Sequence, residues 1–150
     1  MKPLIVLIAV SALAAMATWL ITGAADLPLA GRIGMAAMLV FTAIGHFVFT
    51  RGMVMMVPAA VPFKKEMVIA TGLIEILAAG GLLLPGFVQL TGWLLILFFL
   101  LILPANIYAA KHKVNHEAGN HEGKSTRYLW FRIPLQLLFI AWVYFSAIHN

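Results

Sequence analysis

The chain has 150 residues and a formal net charge of +5, yet 63% of its residues are hydrophobic, only 10% are charged and its mean hydropathy is +1.02. That balance excludes an ordinary water-soluble domain, and the absence of cysteine excludes disulfides, thiolate metal sites, thiol redox chemistry and thioether-linked haem in this chain. Nor does the positive charge point to nucleic acid, because the Lys and Arg residues lie in short segments between apolar runs, where they anchor helix ends to anionic headgroups.

The apolar runs are uninterrupted and about as long as a helix needs to cross a bilayer, unlike the short alternating segments of a transmembrane β-barrel. They predict an all-α, polytopic transmembrane bundle forming one membrane domain over residues 1–150, with spans at about 3–23, 30–50, 66–84, 88–110 and 129–148. In the first, Lys2, the run Leu4 to Val10 and Ala15-Met16-Ala17 carry the pattern of a cleavable signal peptide. The apolar run continues through Trp19-Leu20-Ile21, which favours a retained anchor.

The second span carries His46 near its end. The link that follows, Arg51 to Phe63 with Pro58 and Pro62, is apolar and broken by proline, which predicts a short interfacial or re-entrant segment. The third span holds Glu75 in a run otherwise free of charge, and Leu84-Pro85-Gly86-Phe87 after it predicts a tight hairpin to an antiparallel fourth span. In the fourth, Pro104 removes the hydrogen bond to the Leu100 carbonyl and predicts a kink just before Asn106. The following loop repeats Asn-His-Glu at Asn115 and Asn120; its spacing matches no tight ligand set and its lysines oppose a cation, so a solvated loop and no metal site are expected. In the fifth span Arg132 and Gln136, four apart, share a helix face.

In this five-span arrangement Lys2, Arg51, Lys64, Lys65, Lys111, Lys113, Lys124, Arg127 and Arg132 fall on one side and Arg32 alone on the other. The excess of positive charge predicts a cytoplasmic N-terminus and an outside C-terminus in a bacterial-type cytoplasmic (inner) membrane.

Glu75 is the costliest residue in the chain to place. A carboxylate at the centre of a span costs roughly 2.5 to 3.5 kcal/mol on insertion scales, so it is paired, protonated or turned to a polar cavity. At 1.5 Å of rise per residue, Glu75 lies roughly 13 to 15 Å from the near end of its helix, and His46, Asn106 and Gln136 within roughly 5 to 12 Å of theirs. Polar groups at similar depth are what a shared internal site needs, because lipid offers none of them a partner. Glu75, His46, Asn106, Arg132 and Gln136 are therefore the candidate ligand-binding or proton-relay residues. Each also has a plainer reading: Arg132 as an interfacial anchor instead of an ion-pair partner of Glu75, Asn106 and Gln136 as interhelical glue, His46 as a structural hydrogen-bonder, and Glu75 as a buried structural carboxyl paired with one of the others.

Gly45-His46-Phe47, the Pro58 and Pro62 link, Gly72-x-x-Glu75 followed by Leu83-Leu84-Pro85, Pro104-Ala105-Asn106-Ile107 and Arg132-Ile-Pro-Leu-Gln136 together resemble the DoxX-like membrane protein family. The resemblance implies a DoxX-type four-helix core over residues 30–148, with residues 1–25 as an extra N-terminal span. It also implies a redox-associated membrane component, since the family's namesake is similar to a membrane subunit of a thiosulfate:quinone oxidoreductase. A quinone or other small hydrophobic ligand in the bilayer, and a membrane or soluble redox protein partner, follow as expectations. The family supplies no universal catalytic set, so whether the chain acts as an enzyme stays open. A small-solute carrier or binding protein and a structural membrane subunit are the competing classes.

Overall fold

The computed structural model describes residues 2–122 and 130–149. Lys124, Arg127 and the expected start of the last span at residue 129 lie outside the described residues. The helices are α1 (Lys2–Thr22), α2 (Leu27–Val48), α3 (Thr50–Val54), α4 (Lys64–Leu83), α5 (Val88–Lys111) and α6 (Arg132–Val143), which widens into a π-helical turn, Tyr144–Ile148. That turn is marked by the hydrogen bond from His149 N to Tyr144 O, five residues back. Among the described residues the only β pairing is an isolated bridge between Asn115 and Asn120.

Four helices, α1, α2, α4 and α5, are long and apolar enough to cross a membrane. With 20 to 24 residues each, they are roughly 30 to 36 Å long, enough for a hydrocarbon core of about 30 Å. The last apolar helix, Arg132–Ile148, has 17 residues and is shorter, roughly 25 Å. The second helix begins at Leu27 rather than near residue 30, because Asp26 caps it: its Oδ1 accepts from Leu29 N at 3.0 Å, and Pro28 in the first turn has no N–H to leave unpaired. The proline-rich link contains the short α3 followed by turns, and Gly86, at φ +89°, makes the turn between α4 and α5.

The chain reverses at each connection, so α2 is the hub of an antiparallel arrangement with α1 and α4 packed against it, while α5 packs against α6 and the π-turn. The two groups meet tightly at one end. There Trp142 Nε1 donates to Gly31 O at 3.1 Å and a Cβ on Gly81 would stand 2.3 Å from Thr91 Oγ1, while within the second group one on Gly92 would stand 3.1 Å from that of Ala147. Between the groups lies a core of Met35, Met38, Leu39, Leu95, Phe99 and Val143, each almost fully buried. Many large apolar side chains instead face outward, Ile21, Leu77 and Leu101 among them. Outward-facing apolar surface on this scale suits an apolar surrounding medium. The first helix buries only Leu7 and Ser11, crossing α2 closely at Gly34.

Candidate functional site

The site occupies the end of the bundle opposite the tight glycine contacts. The second half of α2, the first half of α4, the second half of α5 and the first half of α6 all reach this end. They surround a cavity of about 1000 Å³ whose walls include Glu75, His46, Asn106, Gln136, Arg132 and Pro104. Every candidate residue drawn from the sequence thus borders one space.

One wall is built on α2 and α4. Glu75 is 5% exposed, and its Oε2 lies 3.1 Å from Thr42 Oγ1 and 3.5 Å from His46 Nε2. On the far side of the ring, His46 Nδ1 lies 3.0 Å from Val68 O and 3.0 Å from Thr71 Oγ1. A carbonyl can only accept, so Nδ1 carries a proton. Nε2 then faces Glu75 either as an N–H donor to a carboxylate or as a lone pair receiving a carboxyl O–H. In both arrangements one proton would lie between the two heavy atoms and the pair would be neutral as a whole. The Thr42 hydroxyl fits both arrangements: its single proton can be given to Glu75 Oε2, or to Leu39 O at 3.0 Å when the carboxyl itself is the donor. Gly72 makes the approach of α2 to α4 possible, since a Cβ there would stand 2.9 Å from that of His46.

The opposite wall is built on α5 and α6. Asn106 Nδ2 donates to Gln136 Oε1 at 2.5 Å, and Gln136 Nε2 donates to the carbonyl of Phe99. Pro104 sits inside α5, which runs on to Lys111. The carbonyl the amide engages is Phe99, one residue before the Leu100 oxygen that the proline leaves without its usual partner.

Arg132 does not reach for Glu75. Its Nη2 donates to His116 Nδ1 at 3.0 Å and its Nη1 lies 3.9 Å from Met56 Sδ. Its partner comes from the loop between α5 and α6, whose residues 114–117 line the cavity. The expectation of a solvated loop holds for the exposed His112 and His121 but not for Val114, which is 1% exposed, nor for His116. Burial first, and the Arg132 guanidinium second, lower the His116 pKa from 6.5 to about 4, against an opposing pull from Glu117. Lys2 Nζ holds Glu117 Oε1 at 2.7 Å. Among the described residues, no three His, Asp or Glu side chains gather where they could hold a metal ion.

Three participants were not singled out from the sequence as site residues. Thr42 lies four residues before His46 and Thr71 four before Glu75, so each shares a helix face with one member of the pair while its hydroxyl meets the other, a signal that was present. His116 had no such signal, because its contact joins a loop to a helix sixteen residues on.

These elements define an all-helical protein with four helices long and apolar enough to span a bilayer and a polar cluster within its bundle. Residues 35–147 match the family described as "Domain of unknown function (DUF8561)", and the chain belongs to that family. No curated protein and no solved structure matches it. The matched segment begins within α2 and takes in every candidate site residue, leaving α1 outside it.

Proposed function

We propose that this protein is a five-span membrane component of a redox system, resembling DoxX-like proteins, whose cavity binds a quinone-like amphiphile. The observation that carries the reading is the cavity itself, an apolar chamber in which His46 and Glu75 stand together on one wall and an amide pair, Asn106 and Gln136, on another. A quinone head offers carbonyls that accept from such donors and take up protons on reduction, and its ring and tail suit the apolar lining. Electron transfer belongs, in this reading, to a membrane or soluble partner protein.

The last apolar helix, with Trp130 and Phe131 before it, serves as the fifth span. The basic residues at the site's end of the bundle then face the cytoplasm of a bacterial-type inner membrane, and the C-terminus lies outside. The experiment is anaerobic purification followed by organic extraction and mass spectrometry, together with thermal shifts on adding decylubiquinone in detergent. Wild type is expected to retain quinone and to be stabilised by the probe, and Glu75→Gln to lose about tenfold or more in affinity while keeping its helical circular dichroism. A protein that carries no quinone and gives no shift would refute the reading.

A further inference from the structure

The cavity is tied shut at its loop end and unlatched along its flank. At the loop end, Lys2 from α1 holds Glu117, Arg132 from α6 donates to His116, and the Phe49 ring meets the His116 imidazole edge-on at 6.3 Å between centroids. Gly52 of α3 presses so closely on this segment that a Cβ would stand 1.7 Å from the His116 carbonyl oxygen. Residues 114–117 are thus fastened from several sides. The flank is different. Ile44 on α2, Met67 on α4 and Leu101 on α5 line the cavity and are 55%, 46% and 69% exposed, so apolar side chains of the long helices both border the cavity and face outward.

We infer that the cavity is filled sideways, from the bilayer, through this apolar flank, and that its occupant is an amphiphile with a long apolar tail rather than a water-borne solute. The inference rests on the reading that the cavity binds a ligand. Entry at the loop end requires breaking an ion pair and a charge-assisted hydrogen bond and unseating Gly52 from a backbone carbonyl. Entry through the flank requires only the displacement of apolar side chains. A polar solute gains nothing from Ile44, Met67 and Leu101 in exchange for its hydration. A tailed amphiphile keeps its apolar surface covered throughout. Its head can reach between the two polar walls while the tail stays among the exposed side chains and the lipid beyond.

The chain lacks cysteine, so Lys2→Cys with Glu117→Cys introduces the only thiols, and a bis-maleimide bridge between them fixes the cap closed in liposomes. The probes are decylubiquinone and its tailless benzoquinone head. If entry is lateral, bridging leaves the association rate of decylubiquinone within about twofold, whereas Leu101→Trp, which narrows the flank, slows it by about tenfold. The tailless head binds wild type at least about tenfold more weakly. A bridged protein that no longer takes up decylubiquinone, while the unbridged variant does, overturns lateral entry and leaves the ligand-binding reading standing. Equal affinity for the tailless head overturns the tailed class of ligand. If wild type binds neither probe, the ligand-binding reading fails and this inference with it.

Discussion

His46 Nε2 faces Glu75 Oε2 at 3.5 Å, while the other nitrogen of the same ring is committed to the Val68 carbonyl at 3.0 Å. The costliest residue of the sequence is therefore answered by a partner on the neighbouring helix, and the partner is itself oriented from behind. A histidine anchored through Nδ1 cannot turn away from the carboxyl without abandoning Val68 and Thr71. Pairing and orientation are in this way built into His46, Glu75 and Thr71 together with the Val68 carbonyl.

Removing either member strands the other inside the bundle. His46→Ala and Glu75→Ala are each expected to cost about 1 to 3 kcal/mol, the penalty of a buried polar group left without its partner. The double variant is expected to cost less than the sum, with a coupling of about 0.5 to 3 kcal/mol. Unfolding in detergent micelles, followed by circular dichroism, provides the cycle. Strict additivity would show that the two groups do not interact.

Gly72 tests the same pair without touching it. Gly72→Ala puts a methyl 2.9 Å from the His46 Cβ and 3.2 Å from Phe47 Cζ, so α2 and α4 must separate. Overpacking of this kind costs about 1 to 3 kcal/mol. Gly80 is the control, since a Cβ there meets nothing within 4 Å, and Gly80→Ala is expected to be neutral or to gain up to about 1 kcal/mol through helix propensity. Melting temperatures of the two variants in one detergent decide it; equal effects would remove the proposed close approach.

How far these features could be read from the sequence depends on their range. Runs of apolar residues gave helix positions to within a few residues, because span length is set by rise per residue and a fixed membrane thickness. Depth along each run brought Glu75, His46, Asn106 and Gln136 to one level, and lipid's lack of partners argued for their meeting. The partner of Arg132 was beyond such reasoning. Depth gave Glu75 and the headgroups as its alternatives, whereas His116, to which it donates, sits in a loop whose path no periodicity encodes. The start of α2 was missed for a local reason: Asp26 and Pro28 form a cap and first turn that an apolar count does not register.

Gln136 makes two hydrogen bonds and Asn106 one with it, so their variants should be graded. Gln136→Leu is expected to lose more stability than Asn106→Leu, at about 0.6 kcal/mol for each interhelical bond and up to about 1.7. Detergent unfolding of both variants measures the order. The reverse order would mean that the Phe99 contact contributes nothing.

The His116 environment predicts acid sensitivity with a definite sign. The folded protein holds this imidazole neutral down to about pH 4, whereas the unfolded chain protonates it near 6.5. Between these values the unfolded state binds the extra proton, so stability falls as pH drops from 6.5 towards 4 and is fully present above 6.5. Melting temperatures of wild type and His116→Gln, taken across this window, should converge as pH falls. A parallel decline in both would assign the acid sensitivity to other groups.

With one proton between them, the His46 and Glu75 pair is neutral whichever atom holds it, and a shift of that proton between them then moves no net charge through the protein. A lone carboxylate in the same place would feel a membrane potential, at about 2.3 kcal/mol per elementary charge for each 100 mV crossed in full. The paired site presents that field with little more than a reoriented dipole. Occupancy of the cavity by an uncharged molecule should therefore be nearly indifferent to voltage, leaving the pair equally ready in an energised membrane and in a collapsed one.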